Sequence, residues 1–72
     1  MAEFTHQQYD ELERAVFEGR RIALMRRGAE LVVIPRRLRT TFGREVLDAM
    51  HPTTGDLMEV SLDEVDGFEV LG

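Results

Sequence analysis

The sequence predicts a mainly β domain, one N-terminal α-helix followed by a small five-stranded barrel. Three observations predict it. Apolar residues recur at helical spacing only as far as Gly19, the period changes to two from Arg20, and scattered Gly and Pro residues then cut the chain into short strands. The expected division is a helix over residues 5–19 and a barrel over 20–71, all within a single domain of 72 residues. A chain this short buries only about 60% of its unfolded surface, which leaves room for one core.

Each element has a local cause. Thr5 and Gln8 stand three apart, as a capping box requires, and Phe4 and Tyr9 have the spacing of a hydrophobic staple. Tyr9, Leu12, Ala15 and Val16 form the apolar stripe of the helix, and Gly19 is its natural stop. Ile22 and Leu24 then alternate with Ala23 and Met25 as a first strand, and Arg27-Gly28 is a tight turn. A second strand covers residues 30–34. Its run Leu31-Val32-Val33-Ile34 is apolar on both faces, so a second cover is expected, and the helix stripe is the candidate. Pro35 cannot donate to a ladder and is read as closing that strand, with residues 36–41 a basic connection ending at Phe42-Gly43. A third strand over 44–50, a Pro- and Gly-punctuated loop over 51–56 and a fourth strand over 57–62 follow. Residues 63–67 read as a single helical or 3₁₀ turn, and Phe68, Val70 and Leu71 as the closing strand. That order describes an SH3-like or Sm-like barrel.

Charge is segregated along the chain. The net charge of −5 divides into −4 over residues 1–19, +7 over 20–44 and −8 over 45–72, and all nine basic residues are arginine. Two uses of the basic block stay open. A small barrel sets its first and last strands side by side, so acidic strands can neutralise basic ones. Alternatively, the planar guanidinium fork suits phosphate or carboxylate, and Arg26, Arg27, Arg36, Arg37 and Arg39 are the candidate partner-binding residues.

Catalysis is not expected. No Ser, Cys or Thr stands beside an oriented base, and Ser61 lies inside a strand pattern. His51 and Asp56 are too few for a metal, the glycines form no phosphate-binding loop, and no cofactor is implied. So small a domain is also expected to lack the ~300 Å³ pocket of a small-molecule site. Tyr9, Phe17, Phe42 and Phe68 are assigned to core or helix packing, which leaves no aromatic platform for bases. Without cysteine or a metal set, stability is expected to draw on self-association or docking to a protein partner. The longest aliphatic run is four residues, so no membrane span is expected. Residues 1–5 lack the features of a secretory signal, which points to the cytoplasm.

Residues 12–71 resemble the WYL domain, an Sm-like barrel of bacterial transcription regulators. The matching features are Gly19-Arg20-Arg21-Ile22 after the helix, Val33-Ile34-Pro35 with Leu38, Gly43-Arg44 before a strand, and Leu62-Asp63-Glu64-Val65 before the last strand. The resemblance implies sensing of nucleic-acid or nucleotide ligands in a regulator of transcription. Here the domain is read alone, without a helix-turn-helix. Glu45-Val46-Leu47 replace the name-giving Trp-Tyr-Leu, and Met58 and Glu64 stand where the family tends to place basic residues. In order of elements and acidic balance the chain is more loosely similar to the small Sm-like inhibitors of transcription termination factor Rho, which act by occupying a protein surface. The reading is therefore a non-catalytic interaction or regulatory module working through protein contacts. The alternatives are a nucleic-acid or nucleotide sensor using the same arginines and a structural homo-oligomer.

Overall fold

The computed structural model describes residues 4–72; residues 1–3, part of the stretch read for a secretory signal, lie outside the described residues. Helix α1 runs His6–Glu18. Thr5 caps it: its hydroxyl oxygen accepts from the Gln8 N–H at 3.2 Å while the Gln8 side chain accepts from the Thr5 N–H at 2.8 Å. Gly19 ends it at φ +67°, a left-handed conformation from which the Gly19 and Arg20 N–H groups reach the Val16 and Ala15 carbonyls. Among the described residues no helix is long and apolar enough to cross a membrane.

Five strands follow: β1 Ile22–Arg26, β2 Ala29–Thr41, β3 Arg44–Met50, β4 Leu57–Ser61 and β5 Val65–Val70, with a 3₁₀ turn, Leu62–Glu64, before the last. All neighbours are antiparallel, in the order β4-β3-β2-β1-β5. The first and last strands do lie side by side, with Ile22 opposite Val70 and Leu24 opposite Phe68. β4 and β5 are the two edges of the sheet, so the sheet stays open where a closed barrel was expected.

The largest departure from the sequence reading is β2. Pro35 does not end it, and residues 36–41 are strand where a connection was expected. β2 is shared: residues 29–33 pair with β1 and 34–41 with β3. Pro35 sits at the handover, next to a bulge between Pro35 and Arg37, where a missing N–H is tolerated. The bulge also resets the alternation. Pro35 opposes Ala49 on the core side, and after one extra residue Leu38 opposes Leu47 on that same side. If Arg36 were paired in regular alternation and not bulged out, Arg37 and Arg39 would point into the core.

The core joins Leu12 and Ala15 of α1 to Ile22, Leu24, Val33, Leu47, Ala49, Val60, Leu62 and Val65. Its large aliphatic members are almost fully buried, each worth about 1.5–3 kcal/mol of transfer free energy. Phe4 packs edge-on against Tyr9 and Phe68, with ring centroids 5.9 and 5.7 Å apart. Helix α1 lies on the Val33 side of β2, so it does not provide the expected second cover. Val32 and Ile34 face the other way and are half-buried, in a row with Ala23, Met50 and Leu57 that the register aligns.

Candidate partner-binding surface

The fold divides the five candidate arginines into two groups. Arg26 and Arg27 stand at the β1–β2 turn, while Arg36, Arg37 and Arg39 stand on β2, beginning seven residues along from Ala29. At strand rise that separation is about 23 Å along the chain, and Arg36, Arg37 and Arg39 belong to a strand where a loop was expected.

Two of the five are paired with carboxylates of the same chain. Arg39 is paired twice: Nε and Nη2 donate to both carboxylate oxygens of Asp48 at 2.9 and 3.1 Å, and Nη2 also meets Glu59 at 2.9 Å. This cross-strand network joins β2, β3 and β4, and the Arg39 side chain keeps only 25% of its exposure. The Arg39 hydrogen bonds hold the Asp48 carboxyl below its usual range, against the opposing effect of desolvation, and Arg37 adds to the lowering. The Asp48 hydrogen bond in turn raises the Arg39 guanidinium. Arg27 pairs with Glu64 across the β1–β5 junction at 3.0 Å, and outside the candidate set Arg20 pairs with Glu18 at 2.6 Å. Part of the basic block is thus neutralised within the chain.

Arg36 and Arg37 are exposed, and among the described residues neither meets a carboxylate within salt-bridge distance. One Arg36 Nη lies 3.7 Å from the Met50 sulfur. The two arginines border an open groove of about 610 Å³, completed by Asp48 and Ala49 of β3 and by Leu57, Met58 and Glu59 of β4. A volume of this size was not expected of so small a domain; it lies at the surface beside the β2 bulge. Across the same two arginines a second depression is bounded by Val16, Phe17 and Leu38. Leu57 is 77% exposed and Phe17 91%. Two free cations are therefore flanked by an aromatic on one side and aliphatic side chains on the other.

The assignment of Phe17 and Phe42 to packing is corrected. Phe17 sits beside Val16 but off the buried stripe, and Phe42 is fully exposed at the β2–β3 turn. Their signals were in the sequence. Phe17 breaks the helical spacing of the stripe, and Phe42-Gly43 between two strand-forming threonines and a third strand is a two-residue hairpin turn. Tyr9 does pack; burial, and then the nearby Glu45 carboxylate, raises its hydroxyl above the usual range. The 51–56 loop is held by its own groups. His51 Nδ1 accepts from the Thr53 and Thr54 N–H groups at 3.1 and 3.2 Å, so this histidine shapes the turn.

A scan against family models gives no match, and a search of the curated proteins gives none. Among solved structures the chain is similar to proteasome accessory factor B/C (PafBC) of Arthrobacter aurescens, with a TM-score of 0.78 and 21% identity. The match covers 100% of this chain and 13% of that one. At this identity the likeness shows the fold alone.

Proposed function

We propose that this chain is a non-catalytic regulatory module acting through contact with a protein, and that Arg36 and Arg37 are the centre of the contact surface. The observation that carries the proposal is their setting. Two guanidinium groups without a carboxylate partner among the described residues stand on a groove with exposed Leu57 and beside exposed Phe17. Arginine among aromatic and aliphatic anchors is the composition of a protein-binding centre. A complementary segment carries acidic side chains for the two arginines and apolar ones for the groove. Arg39 holds the floor of the groove in place through Asp48 and Glu59, and Arg26 and Arg27 are peripheral to it. The link to transcription regulation rests on the WYL-type resemblance of the sequence, and the fold shared with a portion of PafBC adds support at the level of fold. Because the chain spans about an eighth of PafBC, that support is for the module and not for the whole protein's activity.

A second reading has its own observation. Phe17 beside two free guanidinium groups is also a platform on which a base of single-stranded nucleic acid stacks. Against it, Asp48 and Glu59 line the same groove, and the acidic blocks repel a polyanion at long range.

Affinity capture from the native cell, with and without RNase, tests the proposal. Wild type and R26A/R27A are expected to retain the same proteins, R36A/R37A to lose them, and RNase to change nothing. Retention that disappears with RNase, or that survives in R36A/R37A, contradicts it.

A further inference from the structure

An antiparallel sheet commonly packs one face on the core and leaves the other polar. Here the face turned away from α1 is apolar across its middle. Val32 and Ile34 are half-buried on it, Ile34 stands opposite Met50, and Met50 stands opposite Leu57, which is 77% exposed. Val33 between them faces the core and is fully buried. The two ends of this stretch of β2 carry opposite charge. Glu30 lies three residues before Val33 and Arg36 three residues after it, each about 10 Å away along the strand. Alternation puts Glu30 on the face of Val32, and the 3.7 Å approach of an Arg36 Nη to the Met50 sulfur puts Arg36 there too. Both are exposed, and among the described residues neither has an ion-pair partner, whereas the nearby Asp48 and Glu59 are held by Arg39.

We propose that a second copy of this chain covers this face, in a two-fold dimer whose axis passes over Val33 and sets Glu30 of each copy against Arg36 of the other. That occupant presupposes the protein-contact reading of Arg36 and Arg37, and it supplies the acidic and apolar side chains which that reading requires. Spacing singles out a second copy. An acid and a base equally distant from an apolar centre make the outward residues Glu30, Val32, Ile34 and Arg36 complementary to themselves when the strand is reversed. A two-fold contact requires that property, since residue i meets j and j meets i. Reversed stacking also lays Val32 of each copy over Ile34 of the other. Charge fixes the orientation: two β2 strands stacked in parallel would set Glu30 on Glu30 and Arg36 on Arg36, a juxtaposition that opposes association. Packed sheets lie about 10 Å apart, a gap that apolar side chains fill from both faces and that glutamate and arginine are long enough to span.

Sedimentation velocity from micromolar to millimolar concentration tests this with the full chain, Glu30→Arg and Arg36→Glu. Wild type is expected to approach a dimer and go no further, because a two-fold contact closes on itself. Each variant alone brings like charges together and is expected to associate at least about tenfold more weakly. An equimolar mixture of the two is expected to regain association, since both contacts of the mixed dimer again join an acid to a base. The double variant E30R/R36E is expected to dimerise by itself for the same reason. At a dilution where every chain is monomeric, the variants are expected to melt within about 4 °C of wild type, which separates lost association from lost folding. A wild type that stays monomeric or grows beyond the dimer, a single variant that associates like wild type, or a mixture and a double variant that stay monomeric overturns the proposal. If wild type is monomeric yet R36A/R37A loses its captured proteins, the second copy fails as the occupant and the protein-contact reading stands.

Discussion

At the scale of single residues, arginines that look equivalent in the sequence have three different fates. Arg39 is a structural cation because the cross-strand register brings Asp48 and Glu59 to it, and Arg27 is tied to Glu64. Arg36 and Arg37 are left for a partner. Sequence alone shows a run of basic residues and cannot assign these fates, since the carboxylates that decide them lie 9 and 37 positions away in the chain. The Arg39–Asp48 contact predicts a pH dependence. Asp48 is held below its ordinary value of about 3.9, so the stability it contributes is present above that value and is lost as pH falls through it toward the folded value. Urea denaturation of wild type and Asp48→Asn is expected to give a difference at pH 7 that narrows at pH 3. A difference that does not change with pH contradicts the assignment.

At the scale of elements, local signals were decisive for the helix and the hairpin turns. The capping box predicts that Thr5→Ala costs about 1 kcal/mol in chemical denaturation. Gly19→Ala is expected to cost a similar amount, about 1–2 kcal/mol, through backbone conformation alone, because an added Cβ there meets nothing within 4 Å. The same local reasoning misplaced Pro35. It treats a missing donor as the end of a strand, whereas a strand that changes partners at that point does not need the donor. The consequence is testable by comparing two changes at one position. Arg36→Ala leaves the bulge and is expected to alter stability by no more than about 0.5 kcal/mol. Inserting one Ala directly after Arg36 adds a further residue to the bulge, turns Leu38 out and Arg37 in, and is expected to prevent folding as judged by circular dichroism and heteronuclear NMR. Equal tolerance of both would show that the bulge does not set the register.

At the scale of the whole molecule, the class of fold and its one core were legible because alternation and punctuation act over short distances. Closure of the sheet was not, since nothing local in β4 or β5 states whether two edges meet. The core's smallness has a consequence: a domain of this size has a total stability of roughly 4–11 kcal/mol. Leu47→Ala, at a fully buried central position, is expected to remove about 2–5 kcal/mol of it in thermal or urea denaturation. The candidate surface was half legible. The arginines stood out by composition, but Phe17, Leu57 and Met58, which make the surface more than a cationic patch, became visible only when the bent β2 placed them beside Arg36 and Arg37.

The central claim is that this surface meets a protein and not a nucleic acid. Fluorescence anisotropy of labelled RNA and single-stranded DNA, titrated with the chain at low and at moderate salt, tests it most directly. No saturable binding is expected even at low salt. Binding with a steep salt slope that is lost in R36A/R37A would contradict it and assign the same two arginines to phosphate.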